Sequence, residues 1–227
     1  MIVLTGASGG IGNLLLKDLS NIDRVIALHK RKLNNNNKYK NVTYVKLDLE
    51  DKNQIESFVN NYSKEFKRIT VIHCAAIKKD NLTINYNIDD WEKSILVNLR
   101  ANFILTKKLL NYMIKEKWGR IIHFASKDAI KGEQGTIAYS TSKSGLIGMS
   151  RVLSKEYAMF NITSNVLSLG AFNTGLYSSL DEKIKKKIIN KIPSKKIGDV
   201  SNIFNAIKFI IESDYVNGSV INIDGGT

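Results

Sequence analysis

Apolar, β-branched runs alternate with longer helical patterns along the whole chain, and that alternation limits the folds open to it. Ile2 to Leu4, Arg24 to Leu28, Thr43 to Leu47, Val71 to Cys74, Arg120 to Ala125, Ile162 to Leu167 and Val220 to Ile223 read as strands. Seven strands separated by helices imply an α/β architecture, a doubly wound parallel sheet. Right-handed crossovers then bring the carboxyl ends of the strands to one edge, where such sheets bind their ligands. A chain of 227 residues, 43% of them hydrophobic, suits one domain spanning residues 1–227.

Composition excludes several classes. One cysteine forbids an internal disulfide, and three histidines scattered in sequence without a second thiol point to no metal site. The chain reaches its first strand at once and holds no apolar run of membrane-spanning length, so a cytoplasmic protein with no membrane segment is expected. The formal net charge is +13, yet the lysines are dispersed and no aromatic-interleaved basic motif occurs. Solvated charge accounts for this better than specific nucleic-acid binding. Pro193 is the only proline, and the run Asn34 to Asn37 reads as a flexible loop.

Thr5-Gly-Ala-Ser-Gly-Gly-Ile-Gly12 joins the first strand to the helix that opens at Asn13. Gly6, Gly10 and Gly12, with Ser8 and Ile11 between them, form a turn where backbone amides and a helix amino-terminus can approach a pyrophosphate. Far downstream lies Tyr139-Ser-Thr-Ser-Lys143, thirteen residues after Ser126. A free tyrosine titrates near pH 10. Four residues along a helix place Lys143 one turn from Tyr139 on the same face, where its ammonium is expected to lower the phenol's pKa and make an acid/base pair.

Thr-Gly-x-x-x-Gly-x-Gly followed by an upstream serine and Tyr-x-x-x-Lys resembles the short-chain dehydrogenase/reductase family, over Ile2 to Gly226. The resemblance implies a Rossmann-type fold and a nicotinamide-dependent oxidoreductase. It assigns Ser126 to hold the substrate oxygen, Tyr139 to transfer the proton, and Lys143 to tune Tyr139 and hold the nicotinamide ribose. Asn98 in Leu96-Val-Asn-Leu99 matches the family's helix-kinking asparagine of the proton relay. Taken singly, each has a plainer reading: Ser126 as a strand end, Asn98 as an ordinary polar helix residue.

Cofactor choice is read after the second strand, where a carboxylate favours NAD and a cation favours NADP. Leu28-His-Lys-Arg-Lys32 puts Lys30 and Arg31 there with no carboxylate expected to compete nearby, so NADP(H) is expected over NAD(H). A solvated basic loop is the plainer alternative. Asp48, with Leu49 beside it, matches the family's adenine-binding aspartate, though an aspartate there could also cap the next helix. Two departures stand out. His73-Cys-Ala-Ala76 replaces the family's Asn-Asn-Ala-Gly, so Cys74 stands for a bracing asparagine while Ala75 and Ala76 still permit close approach to the cofactor. Ser168-Leu-Gly-Ala171 has Leu169 for the usual proline ahead of Gly170, which is expected to loosen that loop, and Thr174 keeps its cofactor-contacting position.

Ile184, Ile188, Ile189 and Ile192 are spaced as one apolar helical stripe, expected to pack on the core more than on substrate. Within the family the residues 192–198 and 216–226, and the ungapped stretch from Tyr139 to Gly170, are most similar to the 3-oxoacyl-acyl-carrier-protein reductase branch. That implies NADPH-dependent reduction of a ketone on a thioester, with acyl carrier protein as partner. Lys117 matches one of the branch's two carrier-contacting cations, whereas Phe160 occupies the other position. A reductase of sugars or nucleotide-sugars in surface-glycan synthesis is the enzymatic alternative, and a non-catalytic dinucleotide sensor or scaffold the alternative of another class. The resemblance also implies a homotetramer, with a dimer next, paired through the helices around residues 91–112 and 140–160.

Overall fold

The structure, a computed structural model, describes residues 1–31, 39–174, 177 and 180–227. The run Asn34 to Asn37 lies outside the described residues. Seven strands, β1 (Ile2–Thr5), β2 (Val25–His29), β3 (Val42–Lys46), β4 (Ile69–His73), β5 (Gly119–Ser126), β6 (Ile162–Leu169) and β7 (Val220–Ile223), form one sheet in the order β3-β2-β1-β4-β5-β6-β7. Every neighbouring pair is parallel. All seven strands expected from the apolar runs are present, with ends displaced by up to about two residues, the usual uncertainty of strand limits. Strand order reverses between β2-β1 and β4-β5, which opens a crevice at the carboxyl edge.

Both faces of the sheet are covered because its strands are apolar on both sides. On one face, α1 (Gly10–Ile22) contributes Leu15, Leu16 and Leu19, and α8 (Val200–Glu212) contributes Ile203, Ile207 and Ile210. The opposite face takes α2 (Lys52–Asn61), α4 (Ala101–Glu116) and α6 (Ile137–Glu156), with Ile55, Phe58, Leu105 and Met113 in its core. Full burial of each such side chain contributes about 1.5–3 kcal/mol.

Three short elements shape the carboxyl edge. Helix α3 (Ile88–Ile95) runs into α4 through a π-helical turn, Leu96–Arg100, the irregularity that often marks functional sites. Helix α5 (Asp128–Lys131) follows β5 directly. Helix α7 (Glu182–Lys191) buries none of its residues; Ile184 is 46% exposed and only Ile192, beyond its end, is 4% exposed. The expected packing of the stripe on the core is therefore met only in part: Ile192 is buried, Ile188 and Ile189 are half-buried, and Ile184 stays exposed. An open depression of about 470 Å³ lies against α7, lined by Asn173, Tyr177, Ile189 and residues 195–199.

The glycine turn is sterically closed. Gly6 has φ +72°, and a Cβ there would stand 2.7 Å from both the Cα and the nitrogen of Ala75; a Cβ on Gly12 would stand 2.3 Å from the Gly6 carbonyl oxygen. Side chains are excluded by neighbouring backbone, which cannot yield. Gly6→Ala is expected to lower unfolding free energy by about 1–3 kcal/mol, the scale of enforced backbone strain. An unchanged urea midpoint would contradict this reading of the turn.

Candidate active site

Strand β1 delivers the glycine turn to the crevice. Helix α1 begins there with Gly9 as N-cap and no side chain capping its first amides. Uncapped amides on a turn that admits no Cβ fit the pyrophosphate of a dinucleotide, so the residues present suit that cofactor. The Thr5 hydroxyl accepts the amides of Cys74 and Ala75, each at 3.1 Å, binding the chain after β4 to the same turn. Thr5 thus supplies hydrogen bonds where Cys74 stands in place of a bracing asparagine, while burial pushes the Cys74 thiol up to about 12.

The second-strand cations are less free than their sequence neighbourhood implies. Parallel pairing of β2 with β3 brings two carboxylates to Lys30: its ammonium lies 2.8 Å from Asp48 and is also paired with Glu50. The expectation that no carboxylate competes for these cations is corrected for Lys30. Arg31 is exposed and in no ion pair among the described residues. Burial alone would raise the Asp48 carboxyl, yet the Lys30 hydrogen bond helps hold it below its ordinary value. Asp48 is not the cap of α2; Asp51 is, accepting the Asn53 amide at 2.8 Å. Leu49 is half-buried against the core.

Ser126 ends β5, and Tyr139 and Lys143 lie one turn apart in α6. The Ser126 hydroxyl accepts the Asp128 amide at 3.2 Å and interacts with the Tyr139 hydroxyl. Lys143 is 2% exposed and donates to the Phe124 carbonyl at 2.5 Å, 5.8 Å from the Tyr139 ring centre. Burial pushes the Tyr139 hydroxyl up to about 12, outweighing the lowering by Ser126, and pushes Lys143 down to about 8. The expected lowering of the tyrosine's pKa by Lys143 is not what this arrangement produces. The ammonium is committed to a carbonyl, and desolvation of the phenolate dominates.

Asn98 is fully buried in the π-helical turn. Its side chain accepts the Ile77 amide at 2.9 Å and donates to the Ile77 carbonyl at 2.9 Å and the Ser142 hydroxyl at 3.0 Å. It thereby ties α4, the loop after β4 and α6 together, one residue from Lys143. At the far side, Leu169 is not a loop residue. It ends β6, in register with Ser126 on one side and Ile223 on the other, so the anticipated loosening by loss of proline does not arise there. The Gly170 amide donates to the Ile223 carbonyl at 3.0 Å, and the Thr174 amide to the Phe172 carbonyl at 2.8 Å.

Sequence reasoning missed two groups. Lys78, two residues past Ala76, holds its ammonium 5.3 Å from the Tyr139 ring centre and 3.6 Å from the Asp128 carboxylate. Their immediate proximity to Ala76 and Ser126 in sequence was the available signal. The second group is a histidine pair. His73 and His123, apart in sequence, face each other in register on β4 and β5, with ring centres 4.9 Å apart and planes within 6°. His73 bonds the Thr106 hydroxyl at 2.8 Å, whereas neither His123 nitrogen has a partner among the described residues. Burial pushes His123 down to about 3 and holds His73 well below the usual histidine range. No cluster of metal-binding side chains occurs, and no helix is long and apolar enough to cross a membrane, among the described residues.

With this geometry in view, the comparisons identify the class. The family model described as short chain dehydrogenase matches residues 1–185, and the chain belongs to that family. It is accordingly an NAD(P)-dependent oxidoreductase acting between alcohols and ketones. Among its relatives, the 3-oxoacyl-[acyl-carrier-protein] reductase of Buchnera aphidicola subsp. Baizongia pistaciae is 34% identical over 99% of this chain and 95% of its own. The protein of the same name from Rickettsia conorii is 33% identical with the same coverage. A solved 4-hydroxyisoleucine dehydrogenase complexed with NADH superposes with a TM-score of 0.87 at 28% identity, covering 99% of this chain and 97% of its own.

The histidine pair yields a pH signature. In the unfolded chain imidazole binds a proton near pH 6.5, but the folded chain keeps His123 neutral down to about 3. The unfolded state holds more protons in that window, so stability falls as pH drops through it. His123→Phe is expected to lessen the loss of stability between pH 6.5 and about 3, read by denaturant unfolding. Identical pH slopes in parent and variant would contradict the buried neutral pair.

Proposed function

We propose that this chain is an NADPH-dependent reductase of ketones, in which Ser126, Tyr139 and Lys143 act on the carbonyl. The observation that carries the reading is the placement of Ser126 at the end of β5 and of Tyr139 one turn from Lys143 on α6, which Lys143 holds to β5, beside a glycine turn fitted to a dinucleotide. A reduced nicotinamide bound there supplies the hydride for the carbonyl carbon. Ser126 donates to the carbonyl oxygen and orients it. Tyr139, with its pKa near 12, is fully protonated at neutral pH and gives its proton to the oxygen as negative charge develops. Lys143, near 8, carries a proton at neutral pH, and its bond to the Phe124 carbonyl holds α6, and with it Tyr139, against β5.

The relatives' names put 3-oxoacyl thioesters first among substrate classes to assay, with acyl carrier protein as partner. Lys117 is exposed at the end of α4 and suits an acidic partner, whereas Phe160 packs partly into the core. A homotetramer is the proposed assembly: Phe103 on α4 and Val152 on α6, 52% and 53% exposed, provide apolar surface for helix pairing. A hydroxylated ketone of the sugar type is the second substrate reading, favoured by the charged pair beside Tyr139.

Tyr139→Phe removes the proton donor and keeps the ring. It is expected to cut kcat by about 10²–10⁴-fold while NADPH still binds. Retained turnover with a verified ketone would overturn the assignment. For the cofactor, support for NADPH rests mainly on Arg31, since Lys30 is offset by Asp48 and Glu50. Arg31→Ala is expected to weaken NADPH about tenfold or more, the loss of one charged hydrogen bond, and to leave NADH nearly unchanged in a fluorescence titration. Equal losses would place the 2′-phosphate elsewhere.

A further inference from the structure

Two loops converge on Tyr139 from neighbouring strands. The one after β4 carries Lys78 and Asp80; the one after β5 carries Lys127 and leads into Asp128, the first residue of α5. The Lys78 ammonium stands 5.3 Å from the Tyr139 ring centre, 3.6 Å from Asp128 and 3.5 Å from Asp80, and Lys127 lies 3.3 Å from Asp128. The Asp128 amide donates to the Ser126 hydroxyl, which keeps that residue next to the strand end assigned to hold the substrate oxygen, while its carboxylate reaches Lys78 and Lys127. A ketone placed against Ser126 and Tyr139 would lie next to Lys78 and, through it, Asp128.

Three properties limit what such a ketone can be. The Asp128 side chain is only 10% exposed, so an apolar acyl chain laid over it would strip the remaining water from a carboxylate without replacing it. The Lys78 contacts are longer than the roughly 2.7–2.9 Å of a charge-assisted hydrogen bond, whereas neighbouring Lys79 binds Asp90 at 2.8 Å. Lys78 therefore keeps donors to offer. Two cations face two carboxylates, so the cluster has no net charge with which to select an anion. A hydroxyl can donate to a carboxylate and accept from an ammonium at once, and it satisfies both partners without bringing charge.

We propose that Lys78 and Asp128 are specificity-determining residues that select ketones bearing a hydroxyl on the carbon next to the carbonyl, a carbohydrate-like polyhydroxy ketone rather than a long apolar 3-oxoacyl chain. This rests on the ketone-reductase reading of Ser126, Tyr139 and Lys143 and alters only its substrate. Both residues act by contact with the substrate's hydroxyl; the proton and hydride steps stay as assigned.

The test compares kcat/KM with NADPH for L-erythrulose, for 2-butanone as its apolar counterpart, and for the N-acetylcysteamine thioester of 3-oxohexanoate. Wild type, Lys78→Met and Asp128→Asn are assayed side by side. Ratios between substrates do not depend on the fraction of folded enzyme, so a partly unfolded Asp128→Asn still reports, and Lys78 is 36% exposed. Wild type is expected to prefer erythrulose over both other ketones, and each variant to lower the erythrulose-to-butanone ratio about tenfold or more, as loss of a hydrogen bond to a charged group implies. Preference for the thioester, or ratios unchanged in both variants, would overturn the proposal and leave the reductase reading standing. Binding of NADPH with no reduction of any of the three would overturn both.

Discussion

The hydrogen bond from the Lys143 ammonium to the Phe124 carbonyl is the contact on which the site depends. A lysine that is 2% exposed must find a partner, and the one it finds belongs to β5 two residues before Ser126. That bond clamps α6 to β5. With helix and strand clamped, Tyr139 one turn away on α6 and Ser126 at the strand's end face each other across the crevice. Asn98 secures the same helix from behind, through Ser142 and the backbone of Ile77. The π-helical turn gives Asn98 this reach, at a point where a regular helix would present a different face.

Burial tunes these groups more than pairing does. Lys143 descends to about 8 and Tyr139 rises to about 12, so at neutral pH both hold their protons. That state suits a site that gives a proton to an oxygen, the direction of ketone reduction. The stacked His73 and His123 beneath it add two neutral rings to a region where charge is costly, and each is lowered further by the Lys143 charge. A polar but uncharged floor under the lysine is a departure from the asparagine expected at position 73.

Features carried by local pattern were legible in the sequence. Apolar runs marked all seven strands, glycine spacing marked the turn, and the Tyr139 to Lys143 interval followed from helical geometry. Features that depend on which strands become neighbours were not. The pairing of Lys30 with Asp48 and Glu50 follows from β2 lying against β3, and the histidine stack from β4 lying against β5 in register. Leu169 read as a loop residue because the family's proline is one, yet pairing on both sides extends β6 through it. The Ile184 stripe has helical spacing, yet only Ile192 at its end is buried and Ile184 stays exposed, a difference that spacing alone does not show. Lys78 and Asp128 escaped notice because neither belongs to a motif, though each follows one by two residues.

The most direct test of the assigned chemistry is transfer of label from NADPH deuterated at the nicotinamide C4 positions. The protein is incubated with a pool of hydroxylated ketones and 3-oxoacyl thioesters, and products are read by mass spectrometry. The expected result is an alcohol carrying deuterium on the former carbonyl carbon, formed by the wild type and not by Tyr139→Phe. Cofactor binding with no labelled alcohol from any ketone in the pool would contradict it.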